Sequence, residues 1–455
     1  MLSKDAAVKR KFSLGFLFRT EDWWTVWLGT LLIVLAATGV IQTVPRLQGW
    51  TTSIRDALPL DLVPGLLILG VFLAAITSIA YGVIKRSSAE TGRFLIGFPV
   101  IFVLAVLAYV LGNQATLKLY GLSDVIWALI LGLLISNIFG KPKWLVPALQ
   151  TELFIKTGLV VMGAELLFNR VLTLGYYGLG VAWTVPPLGL LFMYQYGVRR
   201  LKMQDKSLVA TIAACTSVCG VSAAVATGAA TKARKEEISM AVSISLIFTA
   251  IGMIIQPLII KWFGLSEAVG GAWIGGTIDS TGAVVVAGSM VGETAMEVAA
   301  VIKMLQNLLI GAVAFVFAWV FVRQEGVVPA VDNEPETGAE IEISTKRRPK
   351  VSEIWTRMPK FVFGFVLASL VFSFVLIPWL GQERVDGIVS VTKNLKNWLF
   401  TLAFVSIGLD SRFSDMAKMY HGGKPVKLYI VGQTFNLVAT MIAALLCFGG
   451  YFFPI

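Results

Sequence analysis

The chain contains thirteen separated apolar stretches, each near the length a helix needs to cross hydrocarbon. That length is about 20 residues, at about 1.5 Å of rise per residue. The stretches lie near 25–44, 62–84, 94–112, 123–140, 150–169, 176–196, 207–230, 239–260, 269–290, 297–322, 360–379, 397–413 and 428–449. In lipid every backbone N–H and C=O must be satisfied by the protein itself, so such stretches form helices. The expectation is an all-α integral membrane protein with about 13 transmembrane helices. Composition agrees: 56% of the 455 residues are hydrophobic and 14% are charged. A globular core leaves too much of its chain on the surface to hide that much apolar side chain.

The net charge of +11 could suggest a nucleic-acid partner. The distribution argues against one, because Lys and Arg gather in short clusters between the apolar stretches, the pattern that orients a membrane protein. Lys85, Arg86 and Arg93 form one cluster, Lys141 and Lys143 a second, and Arg199, Arg200, Lys202 and Lys206 a third. Arg323, Lys346, Arg347, Arg348, Lys350 and Arg357 form a fourth, in the longest loop. If every stretch spans, all four fall on one side. That side is then cytoplasmic, in a multi-pass protein of a bacterial inner membrane with a cytoplasmic N-terminus and a periplasmic C-terminus. One loop disobeys: Lys232, Arg234 and Lys235 land outside, partly offset by Glu236 and Glu237. Treating 207–230 as non-spanning mends that loop but sends the 323–359 cluster outside, so the span is kept.

Trp23, Trp24 and Trp27 sit where the first helix would enter the membrane, as interfacial anchors in contact with lipid. The basic first 24 residues lack a convincing A-x-A site, so no cleavable signal peptide is expected. Residues 324–355 are polar and charge-segregated and are expected to be a flexible cytoplasmic linker. Three cysteines and one histidine, His421, cannot build a disulfide framework or a zinc site. Cys215 and Cys219 are expected to be small packing residues. There is no P-loop, no paired histidine and no activated nucleophile. The chain is therefore expected to be a transporter with no cofactor and no metal, rather than an enzyme or an ATP-driven pump.

Short polar motifs at membrane depth suggest where substrate would bind. Thr216-Ser-Val-Cys-Gly-Val-Ser222 and Phe404-Val-Ser-Ile-Gly-Leu409 each place Ser and Gly among apolar neighbours. Gly weakens a helix interior, and Ser offers the backbone an alternative partner, so both sites favour a break. A break opens N–H groups at the positive end of the next half-helix, which an anion can satisfy. The two motifs lie five stretches apart. That odd spacing predicts two inverted five-helix repeats, with discontinuous helices at 207–230 and 397–413. The same register pairs Lys156 with Lys303. The expected domains are 1–122 (additional N-terminal helices), 123–268 (first repeat) and 269–450 (second repeat, interrupted by the linker 324–355). Candidate substrate-binding residues are Ser217, Cys219, Gly220 and Ser222 at the first break, and Ser406 and Gly408 at the second. Thr277, Asp279, Ser280 and Thr281 form the densest polar cluster at membrane depth, and Lys156 and Lys303 could draw an anion inward.

These residues resemble the YeiH-type sulfate exporter family from about residue 94 to the end. The matching motifs are Thr216-Ser-Val-Cys-Gly-Val-Ser-Ala223, Trp398-Leu-Phe-Thr-Leu-Ala-Phe-Val-Ser-Ile-Gly-Leu409, and Ile274-Gly-Gly-Thr277 followed by Val284-Val-Val-Ala-Gly288. The family is similar to cation–proton antiporters and bile-acid-type symporters. The resemblance implies a crossing pair of unwound helices and a panel domain, an NhaA/ASBT-like arrangement. Family members carry His-Glu and then Gln where this chain has Asp279-Ser280 and Ala283, and Arg where it has Gln306; Lys303 is kept. The resulting expectation is a secondary active transporter of a small inorganic anion, a sulfate-like oxyanion, working by alternating access. Its partners would be that anion, membrane lipid, a coupling proton or sodium ion, and a second copy in a homodimer. The alternative is a sodium–proton or other cation antiporter that uses Asp279.

Overall fold

The computed structural model describes residues 20–119, 123–325, 359–412 and 423–450. The linker 324–355 (from residue 326 on) and His421 lie outside the described residues. Among the described residues the regular structure is helical, and six helices are long and apolar enough to cross a membrane by length and composition.

The N-terminal part consists of α1 (Glu21–Ala37), α2 (Leu62–Lys85), α3 (Ser88–Gly112) and α4 (Asp124–Ile138). Helices α2 and α3 form an antiparallel pair that approaches closely at Gly70 against Phe102 and Gly82 against Thr91. Next come α5 (Thr151–Met162), α6 (Phe168–Ala182) and α7 (Val185–Gln195), which a π turn over Tyr196–Arg200 prolongs. Helix α1 is integral to the bundle: Gly29 lies directly on Val160 of α5, with no room for a side chain.

Helices α8 (Lys206–Ser217) and α9 (Gly220–Thr231) occupy the stretch expected to be one broken span. A straight helix over these residues would hold its ends about 39 Å apart. Instead Arg234 reaches Asp205 at 3.4 Å, and the Ser207 hydroxyl donates to Glu237 Oε2 at 3.0 Å. The chain doubles back, so α8 and α9 form a helical hairpin with its tip at Val218–Cys219. From its base α10 (Lys235–Trp262) runs 28 residues to the far end of the molecule.

There a second hairpin begins, made of α11 (Glu267–Thr277) and α12 (Thr281–Val291), with its tip at Ile278–Ser280. Its ends also meet: the Thr294 N–H donates to Glu267 Oε2 at 3.0 Å, and Gly292 abuts the same carboxylate. The two hairpins thus enter from opposite ends of α10, and their tips meet beside its middle. Helices α13 (Glu293–Asn307) and α14 (Leu309–Glu325) then return in nearly one line. The bundle is completed by α15 (Phe361–Val371, prolonged to Leu380), α16 (Gln382–Asp410) and α17 (Lys424–Phe448).

This arrangement corrects three expectations. The second discontinuous element is α11–α12, not the stretch 397–413, whose residues as far as Asp410 belong to the 29-residue continuous helix α16. Ser406 there merely donates back to Leu402 O at 2.8 Å, an ordinary helical contact. Gly408 lies against Gly132 and Leu129 of α4, where the missing side chains let two helices touch. The inverted five-helix register fails with it, since it pairs a hairpin with a continuous helix. The opposed elements are the two hairpins, each followed by a long helical pass. Neither hairpin is a helix that unwinds and continues across, so the crossing pair of discontinuous helices is not what the chain builds.

Candidate functional site at the meeting hairpin tips

The two tips are polar islands within otherwise apolar helices. Cys219 and Ser280, the residues before α9 and α12, are extended, and neither side chain caps the helix that follows. A side chain on Gly220 would sit 3.3 Å from Asp279 Cβ and 3.0 Å from Ser245 Oγ, so any larger residue would force these neighbours back by a few tenths of an ångström.

Each tip has a carbonyl end and an N–H end, and the protein treats them differently. The carbonyl ends are well supplied with donors. Lys303 of α13 donates to Val218 O at 2.8 Å and to Gln306 Oε1 at 3.0 Å. Gln306 in turn donates to Gly276 O at 3.1 Å. Asn436 of α17 donates to both Thr216 O (3.2 Å) and Gly276 O (3.4 Å), joining the hairpins. Gln433 donates to Thr277 O at 2.9 Å. The N–H ends are open. The first intrahelical bonds of α9 and α12 start at Ala223 and Val284, and the N–H groups of Gly220, Val221, Ser222, Thr281, Gly282 and Ala283 find no protein acceptor among the described residues.

Asp279 is buried beside Gly220. Its Oδ2 accepts from the Ser245 hydroxyl at 2.7 Å and from the Tyr429 hydroxyl. Tyr429 is stacked on Phe248, with ring centroids 4.7 Å apart. Thr281 Oγ1 accepts from Asn307 at 3.2 Å, and Thr277 Oγ1 accepts from Gln256 at 2.8 Å.

The residues singled out in the sequence therefore divide. Gly220, Cys219, Thr277, Asp279, Ser280, Thr281 and Lys303 gather at the tips. Ser217 is buried but faces α7, 4.0 Å from Met193 Sδ. Ser222 is in the first turn of α9, where its side chain is exposed. Ser406 and Gly408 are packing residues of α16, although their neighbour Ile407 touches Gly282 behind the second tip. The Lys156 ammonium is engaged by carboxylates rather than by a tip, although its neighbour Ile155 packs against Gly282 of the second tip. Lys156 pairs with Asp22 (2.9 Å), Glu21 (3.4 Å) and Glu152 (3.6 Å), fastening α5 to α1.

Six further residues contribute without having stood out, Ser245, Gln256, Asn307, Tyr429, Gln433 and Asn436, and Gln306, noted in the sequence as a departure from the family pattern, joins them. Their signal was present as helical spacing. Tyr429, Gln433, Asn436 and Thr440 follow one face of α17, and Lys303, Gln306 and Asn307 follow one face of α13. Polar residues at such spacing within an apolar run face the protein rather than lipid.

Comparison with known proteins agrees with a membrane protein. A UPF0324 membrane protein of Rhodopirellula baltica is 46% identical over 387 residues, 84% of this chain and 68% of the relative. One from Nitratidesulfovibrio vulgaris is 44% identical over 370 residues, 80% of this chain; the chain spans 61% of that relative's length. One from Nitrosomonas europaea is 27% identical over 481 residues, covering 92% and 93% of the two chains. No solved structure matches. The family model described as conserved hypothetical protein 698 matches residues 96–428. With that match and relatives of this similarity, the chain belongs to the UPF0324 family of membrane proteins, the YeiH-type family that its motifs resemble.

Proposed function

We propose that this protein is a secondary transporter that carries a small inorganic anion across the membrane by alternating access, with the anion held at the open N–H ends of the two hairpin tips. The observation that carries this reading is the unequal treatment of the tips. Their carbonyls are capped by Lys303, Gln306, Gln433 and Asn436, while six N–H groups have no protein acceptor among the described residues. Both sets of open N–H groups lie at the positive end of a helix, where negative charge is favoured. An anion supplies what they lack. A sulfate-like oxyanion, as the family resemblance suggests, has enough acceptor oxygens to serve both tips.

The hairpins also bear on orientation. If both are re-entrant, Lys232, Arg234 and Lys235 return to the side of Arg199, Arg200, Lys202 and Lys206. The loop after α14 stays on that side too, because two non-spanning elements cancel in the parity. Every basic cluster then obeys the positive-inside rule, with the N-terminus cytoplasmic and the C-terminus periplasmic in a bacterial inner membrane.

Cation–proton exchange through Asp279 is the competing function. It must contend with a carboxylate already engaged by two hydroxyl donors. Uptake of labelled sulfate, sulfite and bicarbonate into proteoliposomes tests the proposal. One oxyanion should accumulate, and Gly220→Ala, whose methyl must push the tips apart by a few tenths of an ångström, should cut its uptake about tenfold. Sodium–proton exchange with no anion uptake would overturn it.

A further inference from the structure

The second tip has a need that an anion does not meet. The buried side-chain oxygens Gln256 Oε1, Gln433 Oε1 and Asn307 Oδ1 have no donor. Buried amide oxygens in folded proteins are nearly always partnered, so a cluster of exceptions calls for a missing ligand. Two of these amides are fixed in orientation by one residue, Thr277. Its hydroxyl donates to Trp273 O at 2.6 Å, so its proton is committed and Oγ1 can only accept from Gln256 Nε2. Its carbonyl likewise can only accept from Gln433 Nε2. Turning either amide over would set oxygen against oxygen. Both orphaned oxygens therefore stay, each on an amide held by Thr277, at the C-terminal end of α11. The third belongs to Asn307, held by Thr281 across the tip.

We propose that Gln256, Gln433 and Thr277, with Asn307 at the edge, form a binding site for a monovalent alkali cation at the second hairpin tip. All the ligands on offer are amide and hydroxyl oxygens, which suit a hard cation. The end of α11 carries the negative pole of its dipole, and half-helix C-termini of this kind hold coupling cations in transporters. Asp279 Oδ2 is occupied by Ser245 and Tyr429, and the orphaned amide oxygens are neutral ligands, which favours a single charge. Among the described residues no group of three His, Cys, Asp or Glu could hold a metal ion. Lys303 points to Val218 O on the first hairpin. The inference deepens the carrier reading, since a cation at one pole of the tip beside an anion at the other would couple their movements.

Thermal unfolding of the purified full-length protein tests the site. Sodium chloride would be titrated against N-methylglucamine chloride at constant ionic strength, with lithium and potassium alongside. A saturable rise in unfolding temperature with sodium or lithium is expected. Gln256→Leu and Gln433→Leu should each weaken the apparent affinity at least tenfold. Equilibrium binding of labelled sodium to the wild-type protein gives the same answer should a variant not fold. No sodium-specific shift and no bound label would mean that water alone fills the place, and the site is refuted. A shift undiminished in both leucine variants refutes it as well. Sulfite and sulfate titrated in N-methylglucamine separate the two claims. An anion shift without a sodium shift overturns the cation site and keeps the anion reading, whereas a sodium shift lost in the variants with no anion shift does the reverse.

Discussion

Asn436→Leu should loosen the junction between the tips. Asn436 Nδ2 is shared between Thr216 O at 3.2 Å and Gly276 O at 3.4 Å, so one side chain touches the carbonyl ends of both hairpins. In the leucine variant Gly276 O keeps its bond from Gln306 at 3.1 Å, while Thr216 O is left without a side-chain donor. Thr440, which donates to Asn436 Oδ1, can turn to a carbonyl of its own helix, as Thr434 does toward Ile430 O. The net change is one orphaned buried carbonyl. Such a group costs about 1–3 kcal/mol, whereas single hydrogen bonds inside membrane proteins average about 0.6 kcal/mol. A loss of about 1–2 kcal/mol is expected. Asn436→Asp, which sets a charge without a donor against two carbonyl oxygens, should lose more. Unfolding by added SDS in mixed micelles, followed by tryptophan fluorescence, gives the comparison. Thr434→Val, on the exposed side of the same helix, serves as the control. An Asn436→Leu protein as stable as the wild type, or a control equally weakened, would refute the bridging role.

Two other substitutions test separate parts of the fold. Ser406→Ala should leave anion uptake within about twofold of wild type, because the side chain only bonds back within a continuous helix; a tenfold loss would restore Ser406 to the site. Lys396 and Glu165 form a pair at 2.6 Å that is almost wholly buried between α16 and the end of α5. Lys396→Met alone should cost about 3–5 kcal/mol by stranding the carboxylate, and adding Glu165→Leu should recover most of it in the same unfolding assay.

Much of the helical architecture was legible in the sequence, because apolar length marks where a chain in lipid must satisfy its backbone as helix. Each of the thirteen apolar stretches contains a helix. What hydropathy cannot distinguish is an apolar run that crosses from one that goes halfway and returns. Two half-helices of 12 residues and a single span have the same composition. Under the proposed orientation the basic loop at Lys232, Arg234 and Lys235 carried the missing information, but one hairpin alone breaks the parity, and a second at 267–291 restores it. Gly220 was found because a glycine between polar residues is visible locally. Ser406 and Gly408 share that local pattern, yet Gly408 serves close contact with Gly132 and Ser406 only bonds back to Leu402 O, and only the partner helix separates the two uses. The amides Gln256, Asn307, Gln433 and Asn436 were overlooked because their meaning depends on facing a tip from another part of the chain.

The account rests most directly on the first hairpin returning to its starting face. Single cysteines at Gln204, Glu236 and Phe263, introduced into a cysteine-free background, can be labelled in intact cells with an impermeant maleimide, before and after permeabilisation. All three positions are exposed. Gln204→Cys and Glu236→Cys should both be protected until permeabilisation, with Phe263→Cys labelled from outside. Labelling of Gln204→Cys and Glu236→Cys from opposite faces would make 206–231 a crossing helix and contradict the hairpin site.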